Sequence, residues 1–185
     1  MPFRGFIAVE VGPLPPLLPL LDELRATGAD LKVVAPENLH LTLKFLGDVS
    51  DERADAIVEA VRGACQGQDP FTMRLTGMGT FPPRGAPRVV WVGLEGAEPL
   101  EAIARALEER LLLLGYPAED RPFRAHVTLA RARSPQGKGA VIGVVKAHER
   151  DELGAVEVRD VRLMRSELSR AGPTYSVVAS VPLEG

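Results

Sequence analysis

Residues 38–47 read NLHLTLKFLG, and residues 124–133, RAHVTLARAR, repeat the central pattern of that stretch. In each, a histidine (His40 or His126) is followed two positions later by a threonine and then by a leucine. The chain contains three histidines, so two of the three begin this H-x-T-L tetrad. The alternation of apolar residues around each tetrad predicts a β-strand with one buried face.

Strand geometry assigns a face to each side chain near the first tetrad. Because side chains two positions apart share a face, Thr42 and Lys44 are expected to lie beside His40. The intervening leucines and Phe45 are expected to pack inward. The first strand is thus predicted to present an imidazole, a hydroxyl and an ammonium group on one surface.

The same reasoning applies to the second tetrad. Thr128 and Arg124 share the predicted face of His126, with the intervening apolar residues on the core side. Arg131 has the opposite parity, so it reaches that face only if the strand ends or bulges near Ala130. Two such strands facing each other would place two imidazoles and two hydroxyls around a small cavity.

The tetrads belong to a longer internal repeat. A strand, a helix opened by prolines, a glycine stop and an H-x-T-L strand occur in this order twice, from residue 3 to His40 and from residue 88 to His126. The match is architectural rather than residue by residue. It predicts an α+β fold of two similar lobes related by a pseudo-twofold axis, each lobe contributing one histidine.

Hydrophobic periodicity and turn residues predict the remaining elements. The predicted strands are 3–9, 31–34, 39–46, 71–78, 88–94, 124–131, 156–165 and 174–181. The predicted helices are 14–27, one capped by Ser50 or Asp51 and ending near Cys65, and one from Pro99 to Gly115. Residues 134–139 are predicted to form a flexible polar loop.

The composition limits the class of protein. Hydrophobic residues make up 45% and charged residues 25% of the 185 residues, values typical of one globular domain, here spanning residues 1–185. A net charge of −3 does not indicate a general nucleic-acid binder. One cysteine, Cys65, excludes an internal disulfide framework and is expected to be buried. No apolar run approaches the roughly 20 residues of a membrane span, and the N-terminus does not read as a signal peptide, so a cytoplasmic protein is expected.

Two imidazoles and two hydroxyls suit the chemistry of a phosphodiester. A neutral imidazole takes a proton from the attacking oxygen, while a charged one gives a proton to the leaving oxygen. Threonine hydroxyls donate hydrogen bonds to the non-bridging oxygens, where negative charge builds in the transition state. This chemistry requires no metal and no other cofactor. The third histidine, His148, lies in the charged segment KAHERDE and is expected to be a surface or structural residue.

The second tetrad lies in a basic segment. No Asp or Glu occurs between Arg121 and His148, an interval that includes Arg131. A local positive field in an acidic protein favours capture of a phosphate-bearing substrate, although a solvated basic face accounts for part of it. The segment GKGAVIG lacks the sequence of a phosphate-binding Walker loop. Trp91 and Phe45 lie in core-like patterns and are expected to serve packing rather than base stacking.

Four segments together resemble the bacterial and archaeal 2′-5′ RNA ligase family, also described as RNA 2′,3′-cyclic phosphodiesterases, of the 2H phosphoesterase superfamily. They are PENLHLTLKFLGDVS, FPPRGAPRVVWVGL, RPFRAHVTLARAR and LMRSELSRAGPTYSVV, in the family's order and over nearly the whole chain. The resemblance implies two pseudo-symmetric lobes, each an antiparallel sheet with helices on its outer face, and a central active-site cleft.

The resemblance also implies an activity and residue roles. RNA 2′,3′-cyclic phosphate ends would be hydrolysed to 2′-phosphates, and tRNA halves would be joined through a 2′-5′ bond without ATP. His40 would act as general acid and His126 as general base, with Thr42 and Thr128 holding the phosphate. Arg124, Arg131 and Lys44 are candidates for substrate binding from their positions alone.

Other functions remain open from the residues. The same pocket would serve a non-catalytic module that binds RNA ends. A phosphodiesterase of this fold would also suit a small cyclic nucleotide or an ADP-ribose cyclic phosphate. The expected partner is RNA with a cyclic phosphate end, with no membrane and no obligatory protein partner, and nothing in the sequence demands more than a monomer.

Overall fold

A computed structural model describes residues 2–185, which form two antiparallel sheets and four α-helices. The strands are β1 (Phe3–Glu10), β2 (Leu31–Val33), β3 (His40–Val49), β4 (Phe71–Phe81), β5 (Val89–Glu95), β6 (His126–Ala132), β7 (Glu152–Val158), β8 (Asp160–Ser169) and β9 (Gly172–Pro182). The helices are α1 (Leu18–Ala26), α2 (Asp51–Cys65), α3 (Glu98–Leu112) and α4 (Lys138–Ala147). Short 3-10 turns, Pro15–Leu17 and Pro36–Asn38, precede α1 and β3.

Each sheet carries one of the two tetrads. The order β3-β1-β8-β9 forms the His40 sheet, and the order β2-β6-β5-β4-β7 forms the His126 sheet. The halves of the chain exchange strands, because β4 joins the His126 sheet while β8 joins the His40 sheet. Three neighbouring strands of the His40 sheet, in the order β3-β1-β8, therefore correspond to β6-β5-β4 of the His126 sheet. This correspondence matches the predicted pseudo-twofold arrangement.

Two hydrophobic cores lie on the helix-covered sides of the sheets. In the His40 sheet, β1 and β3 pack against α2 and α3, with Ile7, Ile57 and Leu107 fully buried. In the His126 sheet, β4, β5 and β6 pack against α1 and α4, with Leu21 and Leu129 fully buried. Helices thus cover the outer faces and leave the tetrad faces towards a central cleft, so the predicted fold class is confirmed. No helix within residues 2–185 is long and apolar enough to cross a membrane.

One predicted strand is in fact two. Residues 156–165 were expected to form a single strand, whereas the chain leaves the His126 sheet at the end of β7 and enters the His40 sheet at β8. Val158 and Val161 are both buried, although an unbroken strand would direct them to opposite faces. A change of sheet at Arg159 resolves that conflict.

The predicted flexible loop at residues 134–139 contains the start of α4. Two glycines within the helix lower its intrinsic propensity, and burial of Val141 and Val145 in the second core supplies the stabilisation. The preceding Gly137 has a φ of 80°, and a Cβ there would lie 2.6 Å from the Cβ of Ala29. Glycine at this position therefore permits both the left-handed backbone and the close approach of the two segments.

Candidate active site

A β-bulge follows the first tetrad. Thr42 and Lys44 oppose adjacent residues of β1, so one extra residue of β3 lies between them. The side-chain alternation changes at this point, and Lys44 turns to the helix side, where it is 3% exposed. Phe45 turns to the tetrad side and is 60% exposed. The predicted faces of Lys44 and Phe45 are both wrong, because the prediction assumed an unbroken strand.

A second bulge follows the second tetrad at the equivalent position. Thr128 and Ala130 oppose adjacent residues of β5, again with one extra residue between them. Ala130 is consequently buried, and Arg131 falls on the exposed side with Thr128. The strand thus bulges near Ala130, as required for Arg131 to lie on the same face as His126 and Thr128. Phe45 and Arg131 each lie five residues beyond their histidine and are equivalent in the repeat.

Hydrogen bonds fix the tautomer of both imidazoles. The Nδ1 atom of His40 lies 2.6 Å from the carbonyl oxygen of Asn38, and Nδ1 of His126 lies 2.8 Å from that of Arg124. A carbonyl oxygen only accepts hydrogen bonds, so Nδ1 carries the proton in each ring. Proton exchange is left to Nε2, which is the geometry that acid–base chemistry requires.

Each imidazole also packs edge-on against an aromatic ring. The rings of His40 and Tyr175 are 5.3 Å apart at 89°, and those of His126 and Phe81 are 5.3 Å apart at 89°. Phe6 adds a second contact to His40 at 5.0 Å. These three aromatic residues come from distant strands, and no local pattern in the sequence distinguished them from core residues.

Burial and nearby cations lower the pKa of both histidines. Burial is the main cause for His40, and the positive charges of Arg131 and His126 lower its pKa further, against the hydrogen bond to Asn38, which raises it. Burial is also the main cause for His126, followed in the same direction by Arg131. One guanidinium thus influences both imidazoles, and the charge of His126 also reaches His40, so the three groups share one electrostatic site.

Arg124 is placed differently from the other candidates. It precedes the first residue of β6, so strand alternation does not fix the direction of its exposed side chain. Its carbonyl oxygen orients His126. Trp91 opposes Thr128 on the tetrad side of the sheet and packs against Phe81 at 5.2 Å, as a packing residue would.

Lys44 joins β3 to α3 and to the loop that follows it. Its ammonium group lies 2.8 Å from Oε1 of Glu108, 2.7 Å from the carbonyl oxygen of Pro117 and 3.7 Å from Glu119. With these partners and 3% exposure, Lys44 is not positioned to bind substrate. It instead anchors the segment that leads from α3 towards His126.

We predict unequal costs for removing the two ends of this ion pair. Glu108→Leu leaves a buried ammonium short of its main partner and should destabilise the protein by about 2–3 kcal/mol. Lys44→Met leaves a carboxylate that water still reaches and should cost about 1 kcal/mol. Urea denaturation measures both variants. A larger loss for Lys44→Met would contradict the assignment of Lys44 as the buried, dependent partner.

His148 lies outside the tetrad site. Its Nδ1 is 2.6 Å from Asp151 and its Nε2 is 2.7 Å from Glu23, and the hydrogen bond to Asp151 is the main cause of a raised pKa. It connects α1 to the turn before β7, in agreement with a structural role. Within residues 2–185, no three His, Cys, Asp or Glu side chains are grouped as metal ligands would be.

Two sheets that each bring one histidine of a repeated H-x-T tetrad to a shared cleft define the two-histidine, or 2H, type of phosphoesterase fold. A family model described as "LigT like Phosphoesterase" matches the chain twice, over residues 9–91 and 92–175. Each match contains one tetrad. The chain belongs to this LigT-like phosphoesterase family.

Individual relatives and solved structures agree. A protein of Methanothermobacter thermautotrophicus, named RNA 2′,3′-cyclic phosphodiesterase, is 35% identical over 95% of this chain and 96% of its own. One of the same name from Aeropyrum pernix is 39% identical over 88% and 92%. The crystal structure of a Thermus thermophilus protein matches with a TM-score of 0.75 and 30% identity over 98% of both chains. E. coli LigT complexed with 3′-AMP matches with a TM-score of 0.74 and 27% identity over 100% of both.

Proposed function

We propose that this protein is an RNA 2′,3′-cyclic phosphodiesterase that hydrolyses the cyclic end to a 2′-phosphomonoester with a pair of histidines. One observation carries the proposal: two imidazoles with Nδ1 bound to carbonyl oxygens share the field of Arg131 and leave Nε2 to exchange protons. The names of the relatives support the choice of substrate. RNA with such an end is the proposed partner, and a cytoplasmic location stays a prediction of the sequence.

The proposed reaction needs one histidine in each protonation state. Neutral His126 accepts a proton at Nε2 from a water molecule as the water oxygen attacks phosphorus. The bond from phosphorus to the 3′ oxygen breaks, and His40, protonated on Nε2, delivers its proton to that oxygen. The products are a free 3′ hydroxyl and a 2′-phosphate, and proton exchange with solvent restores both rings. The acid and base assignments and the 2′ outcome follow the family resemblance.

Four further side chains are proposed to hold the substrate. The hydroxyls of Thr42 and Thr128 lie on the faces of their histidines and donate to the non-bridging oxygens. Arg131, with its permanent charge, is proposed to balance the charge that builds there. Phe45 offers an exposed apolar ring beside the same surface, suited to the base of the terminal nucleotide.

Joining of tRNA halves belongs to the same proposal. A 5′ hydroxyl in place of water, attacking the cyclic phosphate, would form a 2′-5′ bond with the same proton transfers and without ATP. A cyclic mononucleotide or an ADP-ribose cyclic phosphate presents the same reacting group, so the surface around Phe45 would decide which substrate is preferred.

The direct test uses an oligoribonucleotide ending in a 2′,3′-cyclic phosphate, incubated with the protein in EDTA. We expect complete conversion to a 2′-phosphate end, which a 2′-specific and a 3′-specific phosphatase distinguish. Parallel reactions with a 2′,3′-cyclic mononucleotide and an ADP-ribose cyclic phosphate rank the substrates. Salt-sensitive binding with unchanged RNA after long incubation would instead indicate a non-catalytic RNA-end binding module.

A further inference from the structure

Asn38 makes two contacts that converge on His40. Its carbonyl oxygen accepts the Nδ1 proton of the imidazole at 2.6 Å. Its side-chain amide donates to the carbonyl oxygen of Pro173 at 3.1 Å, across 135 residues of sequence. Asn38 closes the 3-10 turn before β3, so one residue at the entry of the strand is bound both to the candidate catalytic ring and to the far end of the chain.

Pro173 lies beside the tip of the hairpin formed by β8 and β9. The pairing of β1 with β8 reaches Ser166, while the hairpin continues to the pair Ser169 and Gly172. Its end is exposed, with Leu168 at 70%. β9 is also an edge strand, so no further strand pairs with its outer side. The hydrogen bond from the Asn38 side chain is therefore a tertiary contact that holds the end of the hairpin close to His40.

Tyr175 follows Pro173 by two residues and covers His40. Its ring lies 5.3 Å from the imidazole and 5.1 Å from Phe6, which is itself 5.0 Å from the imidazole. The imidazole of His40 is thus enclosed by two aromatic rings, that of Phe6 from the inner strand β1 and that of Tyr175 from β9. If the hairpin moved away, water would reach the imidazole from the Tyr175 side.

We infer that Asn38 is a positioning residue that couples the β8–β9 hairpin to the imidazole of His40. Its amide holds Pro173 and thereby keeps Tyr175 over the ring, while its carbonyl keeps the proton on Nδ1. The meaning of this coupling for catalysis rests on the proposed function. The coupling itself concerns only His40, because the ring neighbour of His126 is Phe81 of β4 and its Nδ1 acceptor is the carbonyl of Arg124.

The inference predicts a selective electrostatic effect. Burial is the main cause that lowers the pKa of His40, and the Tyr175 ring contributes to that burial. Asn38→Leu removes the amide donor at similar size while keeping the backbone carbonyl. The hairpin end should loosen, water should reach the ring, and the pKa of His40 should rise while that of His126 stays constant.

The experiment is an NMR titration of the histidine ring signals in the full chain, with kcat and KM measured across pH. For Asn38→Leu we expect the His40 titration to move to higher pH and kcat to fall about tenfold or more, with a smaller change in KM. Asn38→Gln, which keeps an amide donor, should recover part of the loss. Amide hydrogen exchange should accelerate in residues 167–174.

Two controls lie on the same hairpin. Pro173→Ala keeps the accepting carbonyl, and Arg170→Ala changes an exposed residue of the tip, so both should retain wild-type titrations. If Asn38→Leu folds poorly, Asn38→Ala provides the same loss of donor. An unchanged His40 titration in a folded variant, or equal shifts of His40 and His126, would overturn the inference. An inactive wild-type protein would refute the proposed function instead, and the titration would still test the coupling.

Discussion

Replacing either His40 or His126 with alanine should lower kcat for cyclic-phosphate hydrolysis by about 10²–10⁴-fold. Each ring is proposed to transfer one proton in the same transition state, so the loss of one leaves the other without its complementary step. The double variant should consequently be little worse than either single variant, because groups that act as a unit are not additive. Initial rates on a cyclic-ended oligonucleotide measure all three.

The control for this comparison is His148→Gln. His148 is bound between Glu23 and Asp151, away from the tetrad site, so its replacement should leave kcat near the wild-type value. Circular dichroism and urea denaturation would establish that each variant is folded. Near-normal turnover by a folded His40→Ala or His126→Ala variant would contradict the histidine-pair mechanism.

Arg131→Met should reduce kcat/KM by about 10²–10³-fold, the range found when a donor to developing transition-state charge is removed. The same change should alter the pH profile. The charge of Arg131 lowers the pKa of both His40 and His126, so its removal raises both values. In the proposed mechanism activity requires one charged and one neutral ring, so the bell-shaped pH profile should move as a whole towards higher pH.

The matched control is Lys146→Met, which removes the same unit of charge from the last turn of α4 on the outer side of the molecule. Neither kcat/KM nor the position of the pH profile should change by a comparable amount in this variant. Profiles of kcat/KM against pH for the two variants and the wild type make the comparison. A rate loss in Arg131→Met with no movement of the bell would show that Arg131 does not share one site with both rings.

The local part of this architecture could be predicted from the sequence. Alternation around the tetrads identified β3 and β6 and placed Thr42 and Thr128 beside their histidines, because the period of a strand is a property of a few consecutive residues. The repeated order of elements likewise predicted two lobes, which the sheet orders confirm.

The positions beyond each tetrad could not be predicted in the same way. Lys44, Phe45 and Arg131 all lie after a bulge, and one extra residue reverses the face of everything that follows it. A bulge is defined by the neighbouring strand, which the local pattern does not contain. For Arg131 the strand pattern predicted that a bulge near Ala130 would be needed to bring it to the face of His126. For Lys44 and Phe45 a regular strand was assumed, and the predicted faces were wrong.

Contacts between segments that lie far apart in the chain could not be predicted from the sequence either. Tyr175 and Phe81 reach the two imidazoles from strands that are far away in the chain. The hydrogen bond from Asn38 to Pro173 depends on where the end of the β8–β9 hairpin lies relative to β3 of the same sheet. Aromatic residues in strands are usually packing residues, so composition alone does not distinguish those that border a site.

The proposed mechanism requires that two imidazoles from separate sheets act on one phosphate. It is tested most directly by titrating the ¹⁵N-histidine-labelled protein with inorganic phosphate in EDTA and following both ring nitrogens of each histidine. We expect the Nε2 signals of His40 and His126 to move together with a single dissociation constant, at one phosphate per chain, while those of His148 stay in place. Movement of only one of the two rings, or two different dissociation constants, would contradict it.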